Sequence, residues 1–86
     1  MRSRPHPEVA RFPAVKARRL LALLQREPLA YEVVRRHGSH RVLASPRGYP
    51  TIVFAFHDRA TVPGHTVRKV LVKDVGLDEH EARRLL

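Results

Sequence analysis

Proline and glycine punctuation constrains what this chain can fold into more than any other feature. Pro13, Pro28, Pro46, Pro50 and Pro63 leave only short runs between them, and Gly38, Gly48 and Gly76 divide those runs further. Proline removes a backbone donor and glycine weakens any regular element, so each run has room for one element only. The run AVKARRLLALLQR, Ala14 to Arg26, is rich in good helix formers, and Ala17, Leu20, Leu21 and Leu24 share one helical stripe. Tyr31 to His37 is β-branched and aromatic enough for a strand, Gly38-Ser39 is a hairpin turn pair, and Arg41 to Ser45 reads as the returning strand. After the turn cluster Pro46 to Pro50, Thr51 to Phe56 alternates as a third strand with Ile52, Phe54 and Phe56 inward.

The segment HDRATVPGH, His57 to His65, reads as a polar loop. A second helix follows from about Thr66 to Val75, with Val67, Val70, Leu71 and Val75 as its buried stripe and Gly76 at its end. Asp78 and Glu81 have the spacing of a capping box that opens a short terminal helix. The element order is therefore α-β-β-β-α plus a tail helix. Each main helix has one apolar stripe and the meander has one apolar face. The economical solution is an α+β two-layer sandwich, an antiparallel three-stranded sheet with both helices on one side. Residues 1–12, interrupted by Pro5 and Pro7, are expected to be a flexible lead-in to a single domain over residues 13–86.

No cysteine is available to staple a chain of 86 residues, so packing alone must hold it. No apolar run approaches the roughly 20 residues that cross a bilayer. The opening MRSRPHPEVARFP lacks the apolar stretch of a secretion signal, which leads to the expectation of a cytoplasmic protein. Charge points to a partner. Residues 1–50 hold eleven Lys or Arg against three acidic residues, residues 51–86 six against five, and the whole chain carries +9. Arginine outnumbers lysine 14 to 3, and its planar fork suits phosphate. A nucleic acid fits this balance better than an anionic membrane. The competing explanation is that an arginine-rich composition follows from the host's genome or growth temperature. Lys16, Arg18 and Arg19 sit where a helix dipole disfavours cations, so they either meet an anion or lay their stems over apolar surface.

The most informative stretch is RRHGSHRVLASPRGYP, Arg35 to Pro50. In the hairpin reading His37 and His40 face each other across the turn, ringed by Arg35, Arg36, Arg41 and, through the next turn, Arg47. Imidazole exchanges protons near neutrality. Metal-free cleavage of RNA needs one group to take the 2′-hydroxyl proton, another to protonate the leaving oxygen, and cations to stabilise the phosphorane-like transition state. Other readings of the pair stand beside this one: polar filler in an exposed turn, contact with RNA without chemistry, or zinc. Two histidines are too few for zinc, and His57 and His65 would join them only by a particular fold-back.

The first helix, the strand that ends in Arg36-His37-Gly38-Ser39-His40, the third strand and the stretch Val67 to Leu77 together resemble a HicA-type toxin. These are small mRNA-cleaving toxins of toxin–antitoxin pairs, and the resemblance runs from about Ala14 to Leu77. It implies a fold like that of a double-stranded-RNA-binding domain, endoribonuclease activity on mRNA, and neutralisation by a HicB-type antitoxin. It makes His40, which closes the Gly-Ser-His triplet, the catalytic histidine. His37 and His57 are then the candidates for a second participant. Gly38 and Ser39 support the turn, and Arg35, Arg36, Arg41 and Arg47 bind RNA. No metal or small-molecule cofactor is called for. The family commonly has a glycine before the first-strand aromatic, where this chain has Ala30 before Tyr31. The alternative reading is a basic RNA-binding domain without chemistry.

Overall fold

The structure is a computed structural model that describes residues 11–86. The first helix, α1, spans Ala17–Gln25, three residues later than its composition predicts. The preceding pair Val15–Lys16 (β1) is instead extended and pairs antiparallel with Thr61–Val62 (β5), inside the segment expected to be a loop. The displaced helix start has a physical cause. No side chain caps α1, and its first N–H groups are taken by the 57–60 loop, Ala17 N to the Ala60 carbonyl at 2.8 Å and Arg18 N to the Asp58 carbonyl at 3.3 Å. Tertiary partners thus replace the cap that the sequence lacks.

The hairpin is formed by β2 (Glu32–His37) and β3 (His40–Ala44), and β4 (Ile52–Phe54) completes a sheet of order β2-β3-β4, antiparallel throughout. The second helix, α2 (Gly64–Arg68), runs on without a break into a π-helical stretch, Lys69–Asp74. It closes past Gly76 with Leu77 N donating to the Leu71 carbonyl at 3.0 Å. The last helix, α3 (Glu79–Leu85), opens with the predicted capping box, Glu81 N on Asp78 Oδ1 at 2.7 Å. The protein is therefore α+β, a three-stranded antiparallel sheet with helices and a short C-terminal helix, compatible with the double-stranded-RNA-binding-domain-like arrangement.

One apolar cluster joins the layers: Leu43, Ile52 and Phe54 of the sheet meet Leu20 and Leu24 of α1 and Val67, Val70, Leu71 and Val75 of the second helical segment. Each fully buried leucine is worth roughly 1.5–3 kcal/mol relative to an exposed one, so this layer sets the fold. The α1 stripe is rotated from expectation: Leu23 is buried with Ala17, Leu20 and Leu24, while Leu21 lies half-buried at the margin. Phe56 is likewise only half-buried and packs edge-on against Phe54, ring centres 5.1 Å apart.

Residues 1–10 of the expected lead-in lie outside the described residues, but Phe12 is core. The Arg83 guanidinium stands 5.0 Å over the Phe12 ring and donates to the Arg11 carbonyl at 2.6 Å. A Cβ on Gly64 would fall 1.9 Å from the Phe12 carbonyl oxygen, so only glycine lets this segment lie against α2. No helix among the described residues is long and apolar enough to cross a membrane.

Candidate active site

The hairpin turn is built as its two residues require. Gly38 has φ +61, the conformation of the first central position of a type II′ turn, whose twist matches that of the flanking strands. His37 and His40 are paired directly across it, followed outward by Arg36 with Arg41 and Arg35 with Val42. Between Val33 and Arg35 the register shifts, and the extra residue, Val34, marks a β-bulge.

Alternation along the strands then sorts the side chains. Leu43 pairs with Ile52, and Arg41 with Phe54, on the face that meets the helices. Val42 pairs with Val53 on the other face, where Arg35, His37 and His40 also fall. That face is open: Val53 is 59% exposed and Val34 58%, and both hairpin histidines are exposed. His37 and His40 therefore stand as an opposed pair on a two-residue turn, near enough for side-chain interaction. Arg35, Arg36, His37 and His40 are all exposed, and among the described residues they make no side-chain hydrogen bond or ion pair.

Arg41 behaves differently. Its side chain lies on the helix side, only 11% exposed, and Nη2 donates to Asp58 Oδ1 at 3.0 Å. Its Nε and Nη1 are buried and have no partner among the described residues. With Gly38 and Ser39 it forms one wall of an open groove of about 470 Å³, whose other wall is Phe56 to Arg59. The loop that forms this second wall is tied down by its backbone: Ala60 N bonds the His57 carbonyl at 2.9 Å, and the Arg59 carbonyl accepts from Lys16 Nζ at 3.3 Å.

The predicted site residues are thus divided between places. Arg35, His37 and His40 share the open face. Gly38, Ser39, Arg41 and His57 meet in the groove behind it. Arg47 belongs to neither, because it lies beyond the far end of β3. There it forms a two-pronged ion pair with Glu27, Nη2 to Oε2 at 2.6 Å and Nε to Oε1 at 3.1 Å, which holds the Glu27 carboxyl below the usual carboxylate range. Its expected place beside the histidine turn fails on strand length, since β3 carries the chain ~3.3 Å further from the turn with each residue. Asp58 and Arg59 were missed by the sequence reading. The only local sign of them is the triplet His57-Asp58-Arg59 directly after the third strand.

Among the described residues, no group of three or more His, Cys, Asp or Glu side chains is placed to hold a metal ion. At the turn itself two exposed imidazoles, groups able to exchange protons near neutrality, stand opposed. Comparison of the chain with protein-family models, with curated protein sequences and with solved structures returns no match.

Proposed function

We propose that this protein is a HicA-type toxin, a cytoplasmic, metal-independent endoribonuclease that cleaves mRNA and is held in check by a HicB-type antitoxin. One observation carries the reading: two exposed imidazoles opposed across a type II′ turn, with Arg35, which has no side-chain partner among the described residues, on the same face. Cleavage at a phosphodiester needs a base and an acid close together, and this pair supplies both from one turn. His40 takes the proton of the RNA 2′-hydroxyl, and the freed oxygen attacks phosphorus. The bond from phosphorus to the 5′-oxygen breaks, and a protonated imidazole, that of His37, gives its proton to the departing oxygen. The products are a 2′,3′-cyclic phosphate and a 5′-hydroxyl end. Arg35, on the same face, offsets the charge that grows on the transition state, and Arg36, on the opposite face beside Arg41, grips a neighbouring phosphate.

Support also comes from Ala30. Where the family commonly has glycine, this backbone has φ +52, a left-handed conformation that favours glycine. A glycine would therefore fit this backbone position without strain, although the chain departs from the family pattern there.

The test is incubation of purified protein with a long RNA at neutral pH, with and without EDTA, followed by separation of the fragments. Cleavage that persists under chelator and disappears in His40→Ala, with an unchanged melting temperature, is the expected result. Undiminished cleavage by His40→Ala would sink the assignment. Salt-sensitive binding with no fragments would leave a basic RNA-binding domain in its place.

A further inference from the structure

The groove behind the hairpin turn is short of acceptors. Arg41 offers donors from three nitrogens, yet Asp58 satisfies only Nη2, and Nε and Nη1 are buried without partners among the described residues. A buried charged donor left unpaired is costly, and one contact to a carboxylate that is 56% exposed offsets little of that cost. Guanidinium groups prefer to present two parallel N–H bonds to one anion, carboxylate or phosphate. Here the carboxylate does not do this. The surroundings favour an incoming anion: Arg59 lines the same groove, the Lys16 ammonium group sits on the Arg59 carbonyl, and Ser39 brings a hydroxyl from the turn.

The loop itself does not depend on the Asp58 carboxylate. Its backbone is held by Arg18 N on the Asp58 carbonyl, by Ala60 N on the His57 carbonyl, and by the pairing of β5 with β1. The carboxylate can therefore leave Arg41 by rotation of its own side chain while the wall of the groove stays in place.

We propose that this groove is a phosphate-binding site, in which a phosphodiester of single-stranded RNA replaces the Asp58 carboxylate on Arg41, with Arg59 and Ser39 as further donors. Asp58 is then a resident competitor, an internal anion that keeps the guanidinium ordered until a phosphate displaces it. This deepens the nuclease reading by placing a second backbone contact on the helix side of the turn, across the sheet from His40. A strand that passes around the hairpin tip would be gripped behind the turn and meet the imidazoles in front of it. The nuclease reading supplies only the identity of the phosphodiester; the site requires no cleavage.

The experiment titrates the full chain with inorganic phosphate and with a 2′-O-methyl oligoribonucleotide, which cannot be cleaved through its 2′ position, by NMR or calorimetry. Asp58→Asn removes the competing charge while keeping the side-chain shape, and both probes should bind it about tenfold more tightly. Arg41→Lys keeps the charge but loses the fork, and should bind the oligonucleotide at least tenfold more weakly. Should Arg41→Lys fail to fold, Arg59→Ala, at an exposed position, should weaken binding severalfold. Asp58→Asn that is folded yet binds no better than the parent overturns the proposal. His40→Ala separates the two readings, because it should lose cleavage while inorganic phosphate, which fills only the groove across the sheet from His40, still binds. Retained cleavage in that variant counts against the nuclease assignment only.

Discussion

At its closed end the β2–β3 hairpin turns His37, His40 and Arg35 onto the open face, with Arg36 exposed on the other side opposite Arg41, and none of the four has a side-chain partner among the described residues. At its open end the polar side chains are engaged. The Tyr31 hydroxyl donates to the Pro50 carbonyl at 2.6 Å, Ser45 Oγ donates to the Leu29 carbonyl, and Arg47 is clamped to Glu27. Burial pushes the Tyr31 phenol above its usual range, which keeps it a neutral donor. Polar groups that close on one another hold loops together. Exposed groups with no partner among the described residues keep hydrogen-bonding capacity for a ligand. The contrast teaches where to look for function in a chain whose arginines are spread along its length.

The comparison is broken most directly by paired substitutions at the two ends. His40→Ala should lower the rate of RNA cleavage by about 10²–10⁴-fold without a change in melting temperature. Arg47→Ala should leave cleavage intact, so comparable losses from both would show that the two ends do not differ in role. Tyr31→Phe deprives the Pro50 carbonyl of its donor and should cost about 1–1.5 kcal/mol in denaturant unfolding, with cleavage unchanged.

Ala30→Gly should stabilise by about 1 kcal/mol, since a left-handed alanine costs roughly 1–2 kcal/mol and glycine's added entropy cost takes back part of it. That gain would raise the melting temperature by about 4–8 °C in a domain of this size. Glu27→Gln should have the smallest effect. The folded-state pKa of Glu27 is depressed below 4.5 by Arg47, so its contribution is present above that value and lost as pH falls through the folded pKa. The variant should therefore differ from the parent near neutrality and converge with it in acid, as a pH series of unfolding midpoints would show.

Much of the fold was legible because the signals are local. Glycine's tolerance of positive φ named the Gly38-Ser39 turn, the three-residue spacing of Asp78 and Glu81 named the last cap, and a helical period named Val67, Val70, Leu71 and Val75. The two-residue strands Val15–Lys16 and Thr61–Val62 left no such trace, because two residues are too few for any period. Leu21 and Leu23 exchanged places for a related reason. Both lie near the apolar face of α1, and only the position of the sheet decides which one is covered.

The candidate site divides in the same way. The opposition of His37 and His40 follows from the turn alone. Their separation from Arg47, and the meeting of Arg41 with Asp58 across 17 positions, do not. Sequence by itself determined the two main helical segments, the three-stranded meander, its turns and the last capped helix, since each of those choices rests on torsional preference and periodicity within a few residues. Tertiary structure alone decided, among the described residues, which arginines have no partner, which are clamped and which is buried with nitrogens unsatisfied. The partner of a long charged side chain comes from whichever distant segment packs beside it, and that choice is made only when the layers close.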